Sequence, residues 1–142
     1  MRITADGWLE GVVRRPSPDC GGSISPELVV IHYTGAGGAE GSIAWLTKRD
    51  DVYVSAHVVI GRDGSVTQLV PFGVKAYHAG ESFWRGRRYA NGFSVGIELA
   101  NYGLLESRDG ACWSRTLTPV AVGAEWVRQA RHRNGGPDSP WE

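Results

Sequence analysis

Six consecutive residues, Leu28-Val29-Val30-Ile31-His32-Tyr33, constrain this chain more than any other stretch. An unbroken apolar run with β-branched residues reads as a strand buried on both faces, as at the centre of an α/β sheet. It runs directly into a Gly-rich connection, Gly35 to Gly41. Ends of strands in open α/β sheets are where sites form, and His32 stands at that end, in phase with Leu28 and Val30. An imidazole there is a zinc ligand, a general base, or a core histidine satisfied by a backbone carbonyl. Position alone leaves all three open.

Other elements fall around this strand. Arg14 to Pro26 is rich in Pro, Ser and Gly and reads as a loop. Ser42 is placed to cap a short helix, Ile43 to Arg49. Ser55 to Ile60 and Val66 to Val70 are strand-like, joined by Gly61-Arg62-Asp63-Gly64-Ser65 with its Asp-Gly turn signal. Ser94-Val95-Gly96-Ile97-Glu98-Leu99 alternates, with Val95, Ile97 and Leu99 on one side and Ser94, Gly96 and Glu98 on the other. Thr118 to Gly136 carries the signals of a capped helix, opposed by its valines and Gly123.

Composition narrows the function. At 142 residues, 42% hydrophobic and 21% charged, the chain is long enough for one globular domain, 1–142, and not for two. Fifteen basic residues balance fifteen acidic ones, so no broad positive field draws it to nucleic acid. No apolar run approaches the roughly 18 residues of a membrane span. No signal peptide is visible, which leads us to expect a cytoplasmic protein, with a secreted or phage-type lysin as the alternative. Two cysteines, Cys20 and Cys112, are expected to be free thiols.

Glu98 is the most informative acid. It shares its strand face with Ser94 and Gly96 alone, and an unpaired carboxylate packed against a core costs several kcal/mol. A carboxylate above small residues in a concave site suits a general base acting on water. The plainer alternative is an exposed Glu on an edge strand. His57, between Ala56 and Val58, favours a buried structural role. His78, in Tyr77-His78-Ala79-Gly80, has small neighbours that leave room for a ligand, whereas His132 between Arg131 and Arg133 reads as solvated surface. Phe83-Trp84-Arg85-Gly86-Arg87-Arg88-Tyr89 mixes rings with cations and suits an anion, a stacked sugar or peptide, or plain solvent.

Taken in order, these motifs resemble the type-2 N-acetylmuramoyl-L-alanine amidases, the family that includes phage lysozyme-like amidases and animal peptidoglycan recognition proteins. The resemblance is carried by Val30-Ile31-His32-Tyr33-Thr34, by Val54 to Gly64 with Gln68-Leu69-Val70-Pro71, by Ala76 to Ser82, and by Asn91-Gly92-Phe93-Ser94-Val95-Gly96-Ile97-Glu98-Leu99. Gly7-Trp8-Leu9 and Pro16-Ser17-Pro18 are similar to the amino-terminal segment of cytosolic members. Tyr77 stands where the family has Trp. The resemblance implies an α/β fold with a central mixed β-sheet flanked by helices. It also implies a zinc hydrolase cutting the amide between N-acetylmuramic acid and L-alanine in peptidoglycan or a muropeptide. His32 would be a zinc ligand, Glu98 the catalytic residue that activates water, and His78, Tyr77, Trp84 and Asn91 substrate-binding.

The family's other two ligands lie on a Gly-His segment and a later Lys-x-Asp-Pro-Gly segment behind a long amphipathic helix. Neither motif is found before Glu142. We therefore expect a domain incomplete at its C-terminus, with the C-terminal helix missing. The alternative function is a non-catalytic binder of peptidoglycan fragments without a complete zinc site. A third reading ignores the resemblance and makes the histidines structural.

Overall fold

The computed structural model describes residues 1–49, 51–109, 111–114, 119–120, 127–130 and 139–141. In chain order the elements are β1 (Val13–Arg14), β2 (Cys20–Ser23), β3 (Leu28–Tyr33), α1 (Ala39–Thr47), β4 (Val58–Ile60), β5 (Val66–Gln68) and β6 (Val74–Ala76). Then come β7 (Phe83–Trp84), β8 (Arg87–Arg88), a 3-10 turn (Ala90–Gly92) and β9 (Ser94–Leu99). Short strands β10 (Leu105–Arg108), β11 (Ala111–Ser114), β12 (Pro119–Val120), β13 (Arg128–Ala130) and β14 (Ser139–Trp141) follow.

The main sheet is mixed, in the order β1-β5-β4-β9-β3. β9 runs parallel to β3 on one side and to β4 on the other, while β4 and β5 form an antiparallel hairpin. The Asp-Gly turn closes that hairpin as expected: Gly61 N–H donates to Ser65 O (2.8 Å), and Gly64 takes a left-handed φ of 80°. Between β3 and β4 the chain crosses over through α1. Ile43 and Leu46 of α1, three residues apart and so on one side of the helix, pack on Val59, Leu69 and Val70 to form the core. Gln68 pins the amino-terminal segment to this sheet. It is fully buried, accepts from Leu9 N–H (2.6 Å) and donates to Gly7 O (3.0 Å) and Val70 O (3.1 Å).

Several expectations are corrected. β3 is not covered on both faces. Val29, Ile31 and Tyr33 are 55%, 57% and 47% exposed, because β3 is the edge of the sheet and the described residues leave that face largely open. The helix begins at Ala39, with Gly38 rather than Ser42 at its cap. It stops at Thr47 because Lys48 turns extended. The supposed loop from Arg14 to Pro26 contains β2, which pairs antiparallel with β6. The hairpin strands are shorter than read, Val58–Ile60 and Val66–Gln68. Of residues 118–136, where helix signals and opposing residues left the reading open, 119–120 and 128–130 form strands, and the remainder lies outside the described residues apart from Val127. The central mixed sheet is as expected, with α1 the flanking helix among the described residues. Cys20 and Cys112 are free, as expected, and among the described residues no helix is long and apolar enough to cross a membrane.

Candidate active site

The register of the two parallel strands builds the site. His32 on β3 is paired directly with Glu98 on β9, Val30 with Gly96 and Leu28 with Ser94. Residues opposite one another on neighbouring strands project to the same face, about 4.8 Å apart. His32 and Glu98 therefore stand side by side at the ends of their strands. Val59 of β4 is paired with Glu98 and packs under α1, so the helix and the two functional side chains occupy one side of the sheet.

Between α1 and the strand ends lies an open groove of about 470 Å³, lined by Tyr33, Thr34, Trp45, Leu46, Val54 and Glu98 among others. Trp45 is 53% exposed and carries the Lys48 ammonium 3.3 Å from its ring centroid. Thr34 holds the groove's loops together: its hydroxyl donates to Ala36 O (2.8 Å) and accepts from Ala36 N–H (3.2 Å) and Asn101 N–H (3.4 Å). Glu98 has no hydrogen-bond or ion-pair partner among the described residues. Burial raises its pKa above the ordinary carboxylate value.

Three imidazoles cross the face beside it. His32 Nε2 lies 3.0 Å from His78 Nδ1, and His78 Nε2 lies 3.2 Å from Ser94 Oγ. His57 is anchored separately: its Nδ1 accepts Gly96 N–H (3.0 Å) and its Nε2 donates to Val74 O (2.9 Å). That is the structural role its sequence position favoured. Its ring centroid is nevertheless 5.8 Å from that of His78. All three pKa values are lowered by burial, that of His78 to about 4 with further repulsion from His32 and His57.

Between pH 6.5 and about 4 the unfolded chain binds protons that the native imidazoles refuse, so stability falls as the medium is acidified through that window. Discounted for partial solvent exposure, His78 alone is worth on the order of 2 kcal/mol. Glu98 acts in the opposite sense and offsets part of the loss, since its raised pKa favours the protonated native state. Thermal melts in chelator should show a transition temperature steady above pH 7 and falling toward pH 4.5. A flat or rising profile would contradict the buried neutral rings.

The remaining candidates occupy varied positions. Asn91 Oδ1 accepts from His78 N–H (3.0 Å) and Ala79 N–H (2.8 Å), so it shapes the loop that presents His78. Tyr77 has its backbone N–H on Ser55 Oγ (2.9 Å) and its ring edge-on to Tyr53. Trp84 sits on the β7–β8 hairpin under the Arg85 guanidinium, 4.6 Å from its ring centroid. Arg87 and Arg88 of that hairpin are paired with Glu27 and Glu81, which reduces their pull on an anion. Sequence reasoning missed Trp45 and the role of Ser94. The only signals were an aromatic in a short helix beside a Gly-rich loop, and a serine on the face of Glu98.

A zinc site can be tested against these donors. Catalytic zinc usually takes three protein ligands. Among the described residues no group of three His, Cys, Asp or Glu side chains is arranged so that it could hold a metal ion. His32 fits one position of such a site, and the described residues do not complete it.

Known proteins resemble this chain in sequence and in fold. The profile of the N-acetylmuramoyl-L-alanine amidase family matches residues 22–137. A 1,6-anhydro-N-acetylmuramyl-L-alanine amidase AmpD of Escherichia coli K12 is 36% identical over 116 residues, covering 68% of this chain and 63% of the relative. Its counterpart in Salmonella typhimurium LT2 is 37% identical over 135 residues, covering 78% and 72%. The crystal structure of an AmpD derivative superposes with a TM-score of 0.67 at 35% identity, over 78% of this chain and 72% of that one. This chain thus spans somewhat under two thirds of the Escherichia coli relative's length.

Proposed function

This chain belongs to the N-acetylmuramoyl-L-alanine amidase family, and from that premise we propose that it hydrolyses the amide between N-acetylmuramic acid and L-alanine in 1,6-anhydro muropeptides. The observation that carries the proposal is the pairing of His32 with Glu98 on parallel strands at the mouth of an open groove. Glu98 holds a water and takes its proton as the water attacks the amide carbonyl; a raised pKa and the lack of a competing partner suit it to that work. Trp45 offers a flat apolar wall for the substrate, and Asn91 fixes the loop bearing His78. Zinc is part of the same proposal. His32 is the donor the described residues offer it, the other ligands would come from outside them, and bound zinc would supply positive charge to polarise the carbonyl.

The candidate substrate contacts also include His78, Tyr77 and Trp84, and we propose these as groove residues on the family resemblance. Incubation with 1,6-anhydro-N-acetylmuramyl tripeptide, followed by mass spectrometry, should detect released tripeptide, and chelation should stop the release. Metal analysis of the same sample should find zinc. No release at any zinc level from folded protein would overturn the proposal. One observation favours a second reading, a binder of muropeptides without turnover: the described donors stop short of three. Binding that persists in chelator, with no product formed, would select it.

A further inference from the structure

We infer that Ser94, acting through His78, holds His32 in the tautomer protonated on Nε2. Ser94 is fully buried on β9, and its Oγ lies 2.6 Å from Ala90 O and 3.2 Å from His78 Nε2. A carbonyl oxygen only accepts, so the serine proton goes to Ala90 and the hydroxyl meets His78 with a lone pair. His78 Nε2 must then donate. A neutral imidazole carries one ring proton, so His78 Nδ1 is bare. The nitrogen 3.0 Å from it, His32 Nε2, therefore donates. His32 is left with its lone pair on Nδ1.

The order of protons thus starts at a backbone carbonyl and ends on the ring beside Glu98. His57 stands outside this chain, because both its ring nitrogens are engaged by backbone groups. Gly96 lets the chain form by leaving the space over β9 that the His78 ring fills. Ser94 is a positioning residue, acting on His32 through another side chain. Its use in catalysis rests on the amidase reading, in which Nδ1 is the atom of His32 left to take a metal ion or a proton. The placement of the protons does not depend on that reading.

Long-range proton–nitrogen correlation spectra of the metal-free chain at neutral pH test it. His32 and His78 should each show a pyrrole-type Nε2 and a pyridine-type Nδ1. In Ser94→Ala both patterns should move toward mixed tautomers while His57 stays unchanged, a sign that the fold persists. If Ser94→Ala does not fold, His78→Phe serves instead, and His32 alone should become mixed. Wild-type His32 protonated on Nδ1 would overturn the inference, as would an unmixed His32 in the folded variant. Absent hydrolysis with the tautomers as assigned would sink the amidase reading and leave this one standing.

Discussion

A Glu98→Gln chain is expected to lose 10²- to 10⁴-fold in kcat for muropeptide hydrolysis, the usual worth of a positioned general base. The amide keeps the shape of the carboxyl and cannot take a proton from water. KM should change little, because the substitution leaves the groove wall at Trp45 untouched. Stability should not fall. Glu98 is half-buried without a partner, and burial raises its pKa, so its charge opposes folding at neutral pH. A carboxyl whose native pKa is raised favours the native state at low pH and loses that contribution as pH climbs through the native value. The variant should therefore melt at or above the wild-type temperature at pH 7, with the difference closing below pH 4. Turnover within threefold of wild type, or a clear fall in melting temperature at pH 7, would remove Glu98 from the role proposed for it.

Gly96→Ala should damage both the fold and the site. A Cβ at this position would lie 2.6 Å from His78 Cδ2 and Nδ1, and nearer still to Cγ. Gly96 is buried on β9 between β3 and β4, so the backbone has little freedom to retreat. The ring must move, breaking its contacts with Ser94 and His32. Overpacking of this kind costs about 1–3 kcal/mol. Hydrolysis should fall with it, since the neighbour of His32 is displaced. Gly22→Ala is the control: a Cβ there meets nothing within 4 Å, and its stability should stay within about 0.5 kcal/mol of wild type. Urea titrations of the two variants give the comparison. A Gly96→Ala protein as stable as Gly22→Ala would mean that His78 does not rest on this glycine.

Local chemistry made part of this legible. The alternation from Ser94 to Leu99 assigned Glu98 to a face of small residues, and the strand carries it there in the structure. Asp63-Gly64 announced the hairpin through a backbone requirement that few residues meet. The apolar run at Leu28 marked a strand, yet the same run could not say that β3 is an edge with one face open. Hydrophobicity states what a residue prefers and not what lies across from it. The start of α1 was misplaced for a related reason. Ser42 has the side chain of a cap, but the helix begins earlier at Gly38 without any side-chain cap, with Ile43 and Leu46 buried against the sheet.

The order of motifs along the chain was enough to place it in its family and to single out an imidazole and a carboxylate on separate strands, because period and turn chemistry act over a few residues. Folding alone decided that these strands lie parallel and in register, that Asn91 supports the loop of His78, and that the buried Ser94, on the strand of Glu98, meets the His78 ring that in turn meets His32. Those are contacts between residues 13 to 66 positions apart, and no local preference encodes them.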